Sequence, residues 1–168
     1  MPSILTRFCR ILASAFTILL TYPCVSLAGD DTPLIRYETP GGMKTLNFAD
    51  GRLTAVHFWA TWCVPCIAEL PDVDAALQTY KDSGLQVIAL SVDNGFDRVT
   101  TFYKNYNIRA LAPVLDHEME AFRALKIDGL PTTLFYNAQG KFLTRVDGPM
   151  HWGEWPNKDF IEEQLGVR

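Results

Sequence analysis

The stretch Leu53-Thr54-Ala55-Val56-His57-Phe58-Trp59-Ala60-Thr61-Trp62-Cys63-Val64-Pro65-Cys66 decides how this chain reads. Its first seven residues are rich in sheet-favouring side chains and predict a buried strand. Two cysteines with two residues between them follow. A helical pattern then begins. Ile67, Leu70, Val73, Leu77 and Tyr80 recur at spacings of three and four and predict one apolar face. Pro71 lies inside that pattern and predicts a kink. A Cys-x-x-Cys pair set between strand and helix reads as a thiol–disulfide redox pair. Half of a zinc site is the rival. It needs a second ligand pair, and His57, His117 and His151 are not closely paired.

Composition sets the frame. The chain has 168 residues, 48% hydrophobic and 20% charged, which suits one globular domain with a substantial core. Its net charge is −4 and it has no long basic run, so nucleic acid is not an expected partner. No Gly-rich phosphate-binding motif occurs. Of the four cysteines, Cys9 and Cys24 lie near the start and Cys63 and Cys66 form the pair. A scaffold stapled by disulfides needs more cysteines, more widely spaced.

Residues 1–28 read as an export signal. Arg7 and Arg10 precede an uncharged stretch from Ile11 to Ala28, and Ser26-Leu27-Ala28 offers small residues where a signal peptidase reads. The same stretch, residues 11–28, also has the minimum length for a retained membrane tether, although Pro23 weakens a span. Tyr22-Pro23 is a bulky approach to Cys24 and disfavours a lipid anchor there. Either way the expected compartment is extracytoplasmic, periplasmic or similar, and permits disulfides. Residues 29–33 read as a linker and 34–168 as the domain.

Within that domain, Leu34 to Phe48 around Pro40-Gly41-Gly42 predicts a β-hairpin. Leu85 to Val92 predicts a central strand after a stop at Ser83-Gly84. Val99, Phe102, Tyr103 and Tyr106 mark a helix, and Pro113-Val114-Leu115 a short strand. Met119, Phe122 and Leu125 mark another helix, with Glu118 and Glu120 in its first turn. Thr132 to Tyr136 and Lys141 to Val146 predict a hairpin, and Asn157 a cap on a closing helix. The expected fold class is α/β, a central mixed sheet with helices on both faces.

The chemistry follows from placement. Cys63 opens the helix, so its sulfur is expected near unpaired N–H groups that favour a thiolate. It is the expected attacking thiol. Cys66, one turn on and shielded, is expected to resolve the mixed disulfide, and Pro65 restricts the turn between them. Trp59 and Trp62 are expected to form an apolar platform around the disulfide. The stretch Gly148-Pro149-Met150-His151-Trp152-Gly153-Glu154-Trp155-Pro156 reads either as a partner-facing loop or as a packed connection whose aromatics cover the core. Met150 and His151 are a weak signal for copper.

Trp62-Cys63-Val64-Pro65-Cys66 after Val56-His57-Phe58-Trp59 resembles the thioredoxin superfamily active site, and Gly129-Leu130-Pro131-Thr132 resembles its cis-proline loop. The resemblance covers roughly residues 34–168. It implies a thioredoxin-like fold, a cis Pro131 packed on the disulfide, and a Leu130 backbone free to pair with a substrate segment. Substrate contacts are expected at Trp62, Val64, Pro65 and Leu130. The N-terminal hairpin, the inserted segment Asn94–Tyr106 and Glu69-Leu70-Pro71 resemble the exported TlpA/ResA group. Glu69 lies three residues after Cys66, on the same side of the helix, and is expected to tune the thiols or carry a proton. Its other reading is a solvated helix glutamate. Thioredoxin has a buried aspartate where this chain has His57. That histidine reads as a proton relay or as a satisfied core residue.

The resemblance implies a thiol:disulfide oxidoreductase, acting as a reductant on disulfide-containing proteins and recycled by a membrane thiol reductase. No cofactor is expected beyond the Cys63–Cys66 disulfide. Cytochrome c maturation is one family role, weakened because Thr132 stands where dedicated members often carry an acid. A copper chaperone or metal-centre assembly factor using the same thiols is an alternative. A peroxiredoxin is another, although Cys63 lacks the Pro-x-x-x-Thr-x-x-Cys setting.

Overall fold

The computed structural model describes residues 34–154 and 156–167. The expected export signal, its tether alternative, Cys9, Cys24, the linker and Trp155 lie outside the described residues.

Strand β3 (Leu53–Trp59) is buried along its whole length. It pairs in parallel with β4 (Leu85–Ser91) and antiparallel with β6 (Thr132–Tyr136). The remaining strands are β1 (Arg36–Thr39), β2 (Gly42–Thr45), β5 (Val114–Leu115) and β7 (Phe142–Asp147). Together they make one mixed seven-stranded sheet in the order β2-β1-β5-β4-β3-β6-β7. The N-terminal hairpin extends the sheet by pairing Glu38 of β1 with Leu115 of β5.

Alternation along β3 feeds two cores. Leu53, Ala55 and Trp59 join Leu70 and Val73 of α1 (Val64–Tyr80), Phe102 of α2 (Phe96–Asn105) and Ile161 of α4 (Asn157–Leu165). Val56 and Phe58 join Ile88, Leu134 and Ala121 of α3 (Glu120–Ala124). Helices therefore cover both faces, as expected. Among the described residues no helix is long and apolar enough to cross a membrane.

Pro71 lies inside α1, which continues across it. The proline removes one N–H, but Leu70 and Val73 on either side are fully buried and hold the helix on the sheet. Two local expectations need correction. Asn157 does not cap α4. Pro156 holds the cap position, and the Asn157 amide donates to the His151 carbonyl at 3.3 Å. Glu118 is not in the first turn of α3 but in a 3₁₀ turn before it, in a left-handed conformation that Met119 shares. Glu120 does occupy that first turn and pairs with Arg36 of β1 at 2.8 Å.

Asp74 is a buried carboxylate on the inner face of α1. It accepts the backbone N–H groups of Arg109, Ala110 and Leu111, the shortest at 2.7 Å, and the Gln78 amide at 2.6 Å. It fastens the segment after α2 to α1, and so holds the route to β5.

Candidate active site

The redox pair sits where β3 becomes α1. Ala60 accepts the Cys63 N–H at 3.2 Å, which closes a turn at the strand end. Cys63 is extended (φ −87°, ψ 105°) and occupies the cap position of α1, with proline in the first turn. Its carbonyl accepts the first helical bond from Ile67 at 3.0 Å. Its sulfur accepts the Cys66 N–H at 3.4 Å, the position a serine or threonine oxygen takes in an ordinary cap. The sulfur thus lies among the unpaired N–H groups of a 17-residue helix. Cys63 and Cys66 form a disulfide. Cys66 is fully buried, whereas Cys63 keeps 7% of its surface exposed.

Cys63 opens onto a groove of about 380 Å³ lined by Trp62, Pro65, Val92, Met119, Phe122 and the Asp128–Leu130 loop. The Leu130–Pro131 peptide is cis and Pro131 is buried. Among the described residues no hydrogen bond engages the Leu130 backbone. Trp62, Pro65 and Leu130 therefore line one groove with Cys63, whereas exposed Val64 is not among its walls. The two tryptophans divide. Trp62 is exposed at the groove, while Trp59 is fully buried, donates to the Ala89 carbonyl and stacks on Tyr103 at 5.8 Å.

Glu69 is buried rather than solvated, with 4% of its surface exposed. One carboxylate oxygen accepts the Trp152 indole N–H at 2.8 Å and the Met150 N–H at 3.2 Å. The other has no partner among the described residues. Burial pushes this carboxyl above its ordinary range, against the opposing effect of those two donors. The stretch around Met150 is thus a packed connection: Trp152 is fully buried and Met150 nearly so, while His151 is exposed. Among the described residues no three His, Cys, Asp or Glu side chains converge as a metal site. Sequence reasoning placed Glu69 on the side of Cys66 but missed its bonds to Trp152 and Met150, because the two stretches lie about eighty residues apart.

His57 is fully buried, and its Nδ1 lies 2.9 Å from the Thr133 hydroxyl, its ladder partner on β6. Nε2 has no partner among the described residues. The ring sits edge-on to Trp152. Burial pushes its pKa down to about 3, so it is neutral at physiological pH.

These two buried groups act on stability with opposite signs. The unfolded chain protonates His57 below about pH 6.5 while the native ring stays neutral down to about 3. Stability therefore falls as pH drops through that window. Native Glu69 keeps its proton above 4.5, where the unfolded chain has lost it, so its contribution improves on acidification toward 4.5. Denaturant titrations from pH 7 to 4 should show His57→Leu losing about 3 kcal/mol less stability than the parent protein. Glu69→Gln should lose more than the parent over the same range. Parallel curves for all three proteins refute the assignment.

A family model described as the AhpC/TSA family matches residues 29–143. The chain belongs to the AhpC/TSA family. Within it the chain is 31% identical over 123 residues to thiol-disulfide oxidoreductase ResA of Bacillus subtilis, covering 73% of this chain and 68% of that one. It is 32% identical to ResA of Oceanobacillus iheyensis (69% and 60% covered) and 27% identical to thiol:disulfide interchange protein HelX of Rhodobacter capsulatus (74% and 70%). The match thus spans between 60 and 70% of each relative's length. Among solved structures, StoA from Bacillus subtilis aligns with a TM-score of 0.62 at 22% identity, covering 79% of this chain and 97% of that one. A thioredoxin family thiol:disulfide interchange protein from Chlorobium tepidum aligns at 0.64 and 24% identity, covering 80% and 94%. The thioredoxin-like fold expected from the motifs is therefore the fold of this AhpC/TSA family member. The peroxidase and copper-chaperone alternatives are not favoured by these relatives. In the peroxidase motif's Pro and Thr positions before Cys63 the chain carries Val56 and Ala60.

Proposed function

We propose that this thiol:disulfide oxidoreductase works as a reductant on disulfide-containing proteins outside the cytoplasm. One observation carries the reading: the Cys63 sulfur caps α1 and opens onto an apolar groove whose far wall is the loop of the cis Leu130–Pro131 bond. In the reduced protein the Cys63 thiolate attacks a client disulfide. A mixed disulfide forms, and the second client sulfur leaves as a thiolate and takes a proton. Cys66 then loses its proton and attacks the Cys63 sulfur. The client is released with two thiols and the Cys63–Cys66 disulfide closes, so two electrons have passed to the client. The Leu130 backbone pairs with the client segment, and Trp62, Val64 and Pro65 contact it. Glu69 tunes the thiols or accepts the Cys66 proton.

A membrane thiol reductase restores the dithiol. The export-like residues 1–28 support the extracytoplasmic setting, and residues 11–28, where retained, tether the domain to the membrane. Clients in cytochrome c maturation fall within this reading.

The test is Cys66→Ser expressed with its export signal. Mixed disulfides joined through Cys63 are expected to accumulate and to disappear with a thiol reductant. If Cys63 captures no client under conditions where a control reductase does, the reading fails.

A further inference from the structure

The strand end that follows β4 reaches across to the redox turn. Asp93 lies two residues past β4 and keeps 7% of its surface exposed. Its Oδ2 accepts the Thr61 backbone N–H at 2.8 Å and the Ser91 hydroxyl at 2.7 Å. Its Oδ1 accepts the Thr61 hydroxyl at 2.8 Å. Ser91 Oγ in turn accepts the Asp93 N–H at 3.0 Å. Beside this network, the Trp59 carbonyl accepts the Val92 N–H at 3.0 Å, which locks the ends of β3 and β4 side by side.

Thr61 is the second residue of the Ala60–Cys63 turn. That turn sets where the Cys63 sulfur stands relative to the first N–H groups of α1. A two-point grip on Thr61, through N–H and hydroxyl together, fixes both the position and the rotation of the turn. Charge-assisted hydrogen bonds of this kind are stronger than neutral ones. Asp93 touches neither sulfur in any described contact, and its reach is through Thr61.

We propose that Asp93 is a positioning residue for the redox pair: by gripping Thr61 from the end of β4 it holds the Cys63 sulfur on the N-terminus of α1. The proposal rests on Cys63 being the attacking thiol. A sulfur allowed to drift from those N–H groups loses thiolate stabilisation, and its approach to a client disulfide is misaligned.

The test compares two variants of equal charge in the reduced full chain. Asp93→Asn keeps the shape: its amide oxygen accepts the Thr61 N–H and Ser91 hydroxyl, and its NH₂ donates to the Thr61 hydroxyl oxygen. Asp93→Ala removes the grip entirely. The other charged groups nearby are Glu38, Asp116, His117 and Glu118, which share a cavity with Asp93; Asp97 and Arg98 of α2, which share one with Thr61; Asp128 in the groove; and Glu69 on α1. All are the same in both variants, so a difference between the two reports geometry rather than charge.

The readout is the pH profile of Cys63 alkylation by iodoacetamide, together with the rate of reduction of a protein disulfide. The midpoint in Asp93→Ala is expected roughly half a pH unit above that in Asp93→Asn. Its exchange rate is expected to be on the order of tenfold slower. Identical midpoints and rates in the two variants overturn the proposal, whatever either does to thermal stability. Should Asp93→Ala fail to fold, Thr61→Val removes one of the two grips and keeps the backbone N–H. A smaller rise in midpoint over the parent supports the proposal, and an unchanged midpoint overturns it. Cys63→Ser is the control. If it retains exchange while Cys66→Ser loses it, the assignment of the attacking thiol fails and not the grip.

Discussion

Cys63→Ser stops disulfide exchange, with the rate falling by at least about a thousandfold while the fold persists. The asymmetry between the two cysteines argues for so large an effect. Of the two cysteines Cys63 borders the groove, while Cys66, in the first turn of α1, is fully buried. A hydroxyl at position 63 keeps the capping interaction with the Cys66 N–H, since serine is a good cap, so stability changes little relative to the reduced parent. It supplies no thiolate, and Cys66 cannot reach a client disulfide from its buried position. Stopped-flow reduction of a protein disulfide, with circular dichroism as the control for folding, measures both halves. A variant that keeps exchange within tenfold of the parent would sink the assignment.

Asp74→Ala should destabilise the protein by about 4 kcal/mol, the largest stability effect expected from a single polar side chain here. Three backbone N–H groups, at Arg109, Ala110 and Leu111, converge on this carboxylate, and the Gln78 amide adds a fourth donor. Removing it leaves these donors without their acceptor, that of Leu111 in a buried position and the others partly buried. Each unsatisfied buried group costs about 1–3 kcal/mol. The melting temperature should fall by roughly 10 °C for a chain of this size. Asp74→Asn should recover part of the loss, because one amide oxygen still accepts. Thermal denaturation of the three proteins decides it, and a loss under about 1 kcal/mol for the alanine variant would mean that water replaces the carboxylate.

The order of elements was legible because the pattern and the punctuation agree. Leu53–Trp59 is an unbroken sheet-favouring run, α1 shows its apolar spacing, and Gly84 adopts the left-handed conformation that its place as a stop requires. The redox turn and the cis-proline loop were legible as a pair of motifs, and the structure sets them on two walls of one groove. What sequence could not reveal were the partners of buried carboxylates. Asp74, Asp93 and Glu69 bind backbone, hydroxyl or indole groups delivered by segments roughly thirty to eighty residues away. No spacing rule encodes such contacts, since backbone N–H groups are the same at every residue. The Asn157 cap failed for a related reason: a local preference worth about 1 kcal/mol yields to packing that a window of sequence does not show.

The disulfide bridges residues only three apart in sequence. Closing so short a loop restricts the unfolded chain little, about 2 kcal/mol on a chain-entropy account against nearly 5 for a hundred-residue loop. The seat of α1 depends instead on Leu70 and Val73 against the sheet. The bridge is therefore not what seats the helix: side-chain packing against the sheet does that. In this architecture the disulfide is a removable clasp on a helix that other contacts already hold in place.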